Sequence, residues 1–173
     1  MRQGAKRVIL TASLAFAAMA GAANAGPLED GRGAYQQGDY AIAYRLLRPL
    51  ADQGDATAQT NLGVMYSNGE GVPQSYPNAL KWFREAANHG DAAAQYNLGL
   101  MYRMGLGVPQ NYVLAHMWFN VAASKFPASK SASRDRAIEA RNSSATNMNQ
   151  AQIDRAQKLA REWKPKPETP RTP

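Results

Sequence analysis

The sequence predicts an all-α fold, a short α-solenoid of antiparallel helix pairs with a C-terminal capping helix. Residues 55–90 align without a gap on residues 91–126, and 20 of the 36 aligned positions are identical. Within each copy, apolar residues recur at spacings of three and four, the period of a helix with one buried face. A self-similar period of roughly 20–50 residues is typical of stacked helical repeats. Tandem helix pairs therefore form the predicted centre of the chain.

Residues 1–25 are predicted to be a cleaved signal peptide. Three basic residues, the last of them Arg7, precede a short apolar run over residues 8–20, and residues 23–25 read Ala-Asn-Ala. That order of charge, apolar run and small residues is what a signal peptidase recognises. An uncleaved anchor helix is the alternative, but a membrane span takes about 20 apolar residues. We therefore expect a periplasmic or secreted protein without a transmembrane span in its mature chain.

Residues 26–54 are predicted to be a degenerate N-terminal helix pair. A helix over residues 28–37 turns at Gly38 and is followed by a second helix, which Asp39 caps and Pro49 kinks. Proline inside a helix removes one backbone hydrogen bond and bends the axis. A divergent first unit is common where a repeat stack needs a soluble end.

Each full repeat, 55–90 and 91–126, is predicted to contain two helices joined by a Gly-x-Gly-Val-Pro-Gln bend. The bend's proline cannot continue the first helix. Asp, Ser or Asn at a helix start accepts a hydrogen bond from an unpaired backbone N–H, and glycine just beyond a helix adopts the left-handed conformation that ends it. The predicted caps are Asp55, Ser75, Asp91 and Asn111 at the starts, and Gly69 and Gly105 at the ends of the first helices.

Two glycines lie inside predicted helices, Gly63 and Gly99. Glycine costs a helix about 1 kcal/mol relative to alanine. Its recurrence at one repeat position predicts that a bulky side chain packs against the bare backbone there. We expect the Trp or Tyr of the repeat to supply that side chain.

Residues 127–163 are predicted to contain a linker and C-terminal helices. Residues 125–133 are small and polar and predict a linker, residues 135–141 a short helix, and residues 149–163 a helix that docks on the last repeat. Whether this last helix caps the repeat or occupies its groove is open. The proline-rich residues 164–173 are expected to be a disordered tail.

These motifs resemble the Sel1-like repeat family, which is related to the tetratricopeptide repeat. The matching features are Ala-x-x-Asn-Leu-Gly-x-Met-Tyr, the bend, and Ala-x-x-Trp-Phe-x-x-Ala-Ala, closely over residues 55–124 and loosely over 28–54. The resemblance implies an α-solenoid that serves as an adaptor in signalling or envelope assemblies. Some cysteine-rich relatives have been credited with penicillin binding, so a cell-wall-fragment or β-lactam binding protein or enzyme is the alternative.

Catalytic chemistry has little footing in the sequence. The absence of cysteine excludes disulfides, thiolate metal sites and a cysteine nucleophile. His89 and His116 lie on different repeats without a carboxylate at metal-ligand spacing. We therefore predict a non-enzymatic protein that needs neither a metal nor another cofactor.

The positive charge is concentrated in the C-terminal part of the chain. Residues 26–124 contain six Lys and Arg against eight Asp and Glu, whereas residues 125–173 contain eleven against five. A basic segment favours weak contact with anionic surfaces. Nucleic acid is not an expected partner, because the sequence carries no recognition motif for it.

The first helices of a solenoid line its inner curved surface and present their non-core residues there. We expect a protein or peptide segment to bind that surface, because an Asn amide both donates to and accepts from a peptide backbone and because Tyr and Arg often anchor interfaces. Alternatively, the asparagines bond within the scaffold. The candidate partner-binding residues are Asn61, Val64, Asn68, Tyr96, Asn97, Leu100 and Arg103.

Overall fold

A computed structural model describes residues 26–166, and this part of the chain is all-helical, as predicted. The predicted signal peptide and most of the predicted tail lie outside the described residues. A 3-10 turn, Ala128–Lys130, lies between the sixth and the seventh α-helix. The eight α-helices of these described residues are α1 Pro27–Gln37, α2 Tyr40–Asp52, α3 Ala56–Asn68, α4 Tyr76–Asn88, α5 Ala92–Met104, α6 Tyr112–Lys125, α7 Ser131–Ala145 and α8 Gln150–Glu162.

The first six helices form three consecutive pairs, α1 with α2, α3 with α4, and α5 with α6. Successive pairs stack because α2 packs against α3 and α4 packs against α5. A buried glutamine spans each junction: the Nε2 of Gln59 donates to the carbonyl of Ala51 at 3.0 Å, and that of Gln95 donates to Ala87 at 3.2 Å. Since these two bonds are one repeat apart, the stack repeats its geometry. The predicted solenoid is confirmed.

The predicted caps of the full repeats are confirmed. Asp55 accepts from the backbone N–H of Ala58 at 2.9 Å, and Asp91 does the same for Ala94 at 2.7 Å. Ser75 and Asn111 accept equivalent bonds at the starts of α4 and α6. Gly69 and Gly105 end α3 and α5 with φ values of 76° and 71°.

The first pair departs from the prediction at one cap. Asp39 precedes α2, but its side chain makes no capping hydrogen bond there. Pro49 lies within α2, as predicted. The turn at Gly38 is confirmed and has a φ of 84°.

Each glycine inside a repeat helix faces an aromatic ring. A Cβ atom at Gly63 would lie 2.5 Å from the ring of Phe83, and one at Gly99 would lie 2.7 Å from the ring of Phe119. The predicted close packing is confirmed, but its predicted partner, Trp or Tyr, is wrong. Neighbouring residues on a helix point about 100° apart, so Phe83 faces its own pair while Trp82 packs with α2 and α3.

The linker predicted over residues 125–133 is too long, because α6 continues to Lys125 and α7 begins at Ser131. The short helix predicted over residues 135–141 is helical but forms only part of α7, which has 15 residues. The buried face of α7 consists of Ala137, Ala140 and Ser144. Small residues of this kind do not produce a visible apolar period.

The predicted C-terminal helix is confirmed as α8. Asn149 and Gln152 form a capping box at its start, and Ala156 is fully buried. Both α7 and α8 pack against α6. The ring of Trp163, just after α8, meets Trp118 of α6 edge-on at 5.9 Å between centroids. The helix therefore caps the last repeat.

Candidate functional site

On α3, the predicted partner-binding residues are engaged within the scaffold. The Nδ2 of Asn61 donates to the carbonyl of Thr57 in the same helix at 2.9 Å. Val64 is half-buried against the core that α3 shares with the following repeat. Asn68 is exposed and donates to Glu70 at 3.2 Å. Both asparagines are therefore already hydrogen-bonded within the described chain, and Val64 contributes to packing.

On α5, three predicted residues surround one buried ring. Tyr96 lies 5.4 Å from Phe119 between ring centroids, and Leu100 packs against the same cluster. The guanidinium carbon of Arg103 lies 5.5 Å from the centre of the Phe119 ring. These side chains are half-buried. Tyr96 and Arg103 consequently support the packing of α5 on α6 as well as bordering the surface.

A cleft opens between α5 and the start of α7. We call it the inner cleft, and its volume is about 330 Å³. Two of the predicted residues, Tyr96 and Asn97, line it. The inner cleft is completed by Ala93, Phe126, Lys130, Ser133 and Arg136.

Four lining residues of the inner cleft come from the segment after α6 and were missed by the sequence analysis. Residues 125–133 were interpreted as a linker, so nothing placed Phe126, Lys130 or Ser133 beside α5. Arg136 follows on the first turns of α7. The sequence signal that could have placed these residues is the run 131–136, in which alternating Ser and Ala are followed by charged residues. Such a run indicates the start of a helix, although with low specificity.

The inner cleft offers hydrogen-bonding and positive groups that the chain does not use fully. Within residues 26–166, the Asn97 amide makes no hydrogen bond, in contrast to Asn61. In the described part of the chain, Arg136 donates only to the carbonyl of Ala132 at 3.3 Å and to the hydroxyl of Ser133 at 3.4 Å. Lys130 has no ion pair in this part of the chain. The inner cleft thus combines an aromatic wall, a free amide and two cations.

Groups suited to metal binding do not converge anywhere in the described residues. No three of the His, Asp and Glu side chains between residues 26 and 166 lie close enough to hold a metal ion. His89 lies at the end of α4 and His116 lies within α6. Over the same residues, none of the helices is both long and apolar enough to span a membrane.

A family model described as Sel1 repeat matches three consecutive segments, residues 17–55, 56–91 and 92–125. The chain belongs to the Sel1 repeat family. The first match covers α1 and α2 and begins within the predicted signal peptide. Sel1 repeat proteins are generally protein-interaction modules, and their fold is typically a non-enzymatic scaffold.

Two solved structures of Sel1-type proteins are similar to this one. A protective antigen present in uropathogenic Escherichia coli strains, which displays an SLR fold, superposes with a TM-score of 0.71 at 28% identity over 79% of this chain. A Sel1 repeat protein from Oxalobacter formigenes superposes with a TM-score of 0.56 at 28% identity over 72% of this chain.

This Sel1 repeat chain spans only 28% and 58% of those two proteins. No protein with a curated description matches it.

Proposed function

We propose that this protein is an exported adaptor whose inner cleft binds an extended segment of a partner protein. The observation that carries the proposal is the juxtaposition of Tyr96 and Asn97 with Lys130 and Arg136 across the inner cleft. Interaction is the general role of Sel1 repeat proteins. A volume of about 330 Å³ suits one or two side chains of a bound segment.

The side chains that line the inner cleft indicate which residues a bound partner segment should carry. The rings of Tyr96 and Phe126 favour an apolar side chain, and the Asn97 amide can pair with a peptide N–H or C=O. Lys130 and Arg136 favour an acidic side chain beside it, because like charges would be repelled and a carboxylate can accept from a guanidinium. The proposed partner segment is therefore extended and carries an apolar residue next to Asp or Glu.

The test uses substitutions that leave the packing around Phe119 intact. Tyr96 and Arg103 contact that ring, so their replacement would mix lost binding with lost stability. The cleft variant is therefore Asn97→Ala/Lys130→Ala/Arg136→Ala. The control variant, Asn61→Ala/Arg45→Ala/Arg155→Ala, removes the same number of amides and positive charges outside the inner cleft.

Crosslinking and co-purification from an envelope extract identify partners, and affinities are then measured with the purified partner. We expect the cleft variant to bind at least about tenfold more weakly than the wild type, and the control variant to bind equally well. A partner that binds the cleft variant and the wild type with the same affinity would contradict the proposal.

The export part of the proposal rests on residues 1–25 and has its own test. Cleavage after Ala25 removes the basic residues and the apolar run from the mature chain. Fractionation of expressing cells, followed by intact mass measurement, should find a mature chain that begins at Gly26 outside the cytoplasm. A full-length chain confined to the cytoplasm would contradict export and leave the partner-binding test unaffected.

A further inference from the structure

A second cleft lies on the other side of α7, between α7 and α8. These two helices both pack against α6 but barely touch each other. The space between them is about 440 Å³. We call it the α7–α8 cleft. Its polar lining consists of His116, Asn120, Arg141, Asn142, Gln157 and Arg161.

The α7–α8 cleft is positively charged, and its lining by the described residues contains no carboxylate. Among residues 26–166, Arg141 donates to neutral acceptors only: its Nη1 to the Oδ1 of Asn120 at 3.0 Å, and its Nε and Nη2 to the Oδ1 of Asn142 at 3.2 and 3.0 Å. Arg161 makes no hydrogen bond or ion pair within residues 26–166. Two guanidinium groups therefore border one space without a counter-charge from this part of the chain.

The floor of the α7–α8 cleft includes a buried histidine with an unmet hydrogen-bonding requirement. His116 is 4% exposed, and its enclosed Nδ1 has no hydrogen-bond partner among residues 26–166. Buried polar side chains in native proteins are nearly always hydrogen-bonded. The equivalent residue of the preceding repeat is Leu80, which is also buried. The scaffold position therefore does not require a histidine.

We propose that the α7–α8 cleft binds a small ligand that carries a carboxylate or phosphate group. Planar guanidinium groups bind both oxyanions through paired N–H donors. The amides of Asn142 and Gln157 can both donate and accept, so they suit the polar body of the ligand. A space of about 440 Å³ is larger than a bare oxyanion and admits a molecule of small-metabolite or short-peptide size.

This site is independent of the proposed partner site. Arg136 of the inner cleft and Arg141 of the α7–α8 cleft are five residues apart on α7, so they point about 140° apart around the helix axis. Loss of one site leaves the lining of the other in place. Failure of the partner-binding proposal would not affect the anion-binding proposal.

NMR titration of the full chain tests the proposal, because the sequence contains only two histidines, His89 and His116. The probes are inorganic phosphate, acetyl-Ala-Ala with a free carboxylate, and the same dipeptide as its C-terminal amide. We expect at least one anion to shift the His116 imidazole signals saturably and to leave those of His89 unchanged. Burial, and then the charge of Arg141, lower the pKa of His116, so a bound anion should raise it.

The three probes identify the source of the oxyanion. Binding of the free acid but not of the amide assigns a carboxylate ligand, and binding of phosphate alone assigns a phosphate ligand. The double variant Arg141→Gln/Arg161→Gln should bind the anion with an affinity at least about tenfold lower than that of the wild type. Arg134→Gln/Arg155→Gln removes the same charge outside the α7–α8 cleft and should bind as the wild type does.

The proposal is overturned if neither anion shifts His116 at concentrations up to about 10 mM. Equal affinity of the wild type and the Arg141→Gln/Arg161→Gln variant also overturns it. Circular dichroism melts of both variants confirm that any loss of binding occurs in a folded chain.

Discussion

The two full repeats, 55–90 and 91–126, share their internal contacts. In both, an aspartate caps the first helix, a glycine faces a phenylalanine ring, and a buried glutamine donates to the preceding second helix. Their neighbours differ. The first repeat is followed by another repeat, whereas the second is followed by α7 and α8, which come from unrelated sequence.

Equivalent residues consequently do different things in the two repeats. Asn61 bonds to its own helix, while Asn97 faces the inner cleft. Trp82 lies 5.4 Å beneath the guanidinium of Arg48 in the preceding pair. Its counterpart Trp118 packs against Trp163 instead. The repeat sequence thus specifies the scaffold, and the element packed beside it decides which surface residues are available for binding.

The largest expected effect tests whether the scaffold contacts are equivalent. Gly63→Leu and Gly99→Leu should each lower the free energy of unfolding by about 3 kcal/mol, because either side chain would overlap a buried phenylalanine ring. Urea denaturation followed by circular dichroism measures both. Gly33→Ala in α1 is the control, since no described atom beyond the backbone of its own helix lies within 4 Å of its Cβ position, and it should raise stability by about 1 kcal/mol. Strongly unequal losses of unfolding free energy in Gly63→Leu and Gly99→Leu would show that the two glycine–phenylalanine contacts are not equivalent.

The next largest loss of stability compares the surroundings of the equivalent tryptophans, Trp118 and Trp82. Trp163→Ala should destabilise the protein by about 2 kcal/mol, because it removes an aromatic ring that packs edge-on against Trp118. Hydrogen exchange should become faster in α8 and stay unchanged in α1. By contrast, Lys81→Ala removes only a cation beside Trp82 and should cost less than about 1 kcal/mol. Equal losses of unfolding free energy in Trp163→Ala and Lys81→Ala would show that the packing of Trp163 on Trp118 stabilises the protein no more than the cation beside Trp82 does.

The equivalent positions 116 and 80 should contribute differently to the pH dependence of the free energy of unfolding, because only position 116 carries a histidine. Burial and the nearby Arg141 lower the pKa of His116 in the folded protein, so folding disfavours its charged form. Its contribution to stability is therefore present above the ordinary histidine pKa of about 6.5 and is lost as the pH falls below it. His116→Leu should flatten the loss of unfolding free energy between about pH 7 and 5. Leu80→His should steepen it, and an unchanged slope in both variants would refute this assignment.

The smallest effect separates the two asparagines. Asn97→Ala should be more stable than Asn61→Ala by about 0.5 kcal/mol, because both gain helix propensity but only Asn61 loses a hydrogen bond. Thermal melts of the two single variants measure this difference. The same pair should differ in the opposite sense in partner binding, where only Asn97→Ala weakens the complex. A partner affinity that depends on Asn61 instead would move the binding surface to α3.

The helices and their pairing could be predicted from the sequence for α1 to α6, α8 could be predicted as well, and so could the caps of the two full repeats. These features depend on interactions within a few residues: apolar spacing, a capping side chain, a glycine that ends a helix. For α7, only a short helix over residues 135–141 was predicted and not its full 15 residues, because its buried face is made of Ala137, Ala140 and Ser144, which resemble a solvated linker in composition. The ring that faces Gly99 was also predicted as the wrong residue type, since the choice between Trp118 and Phe119 depends on how α6 is rotated against α5.

By itself, the sequence determined that this chain is a stack of Sel1-type helix pairs and named Tyr96 and Asn97 as candidates for partner binding. Only the tertiary structure decided that Lys130 and Arg136 complete the inner cleft, and that α7 and α8 separate to leave a second cleft over His116. The physical reason is the sequence distance over which the interactions act. Helix formation and capping are local, whereas both clefts arise from the way two later helices pack on α6, and no repeated spacing in the sequence encodes that packing.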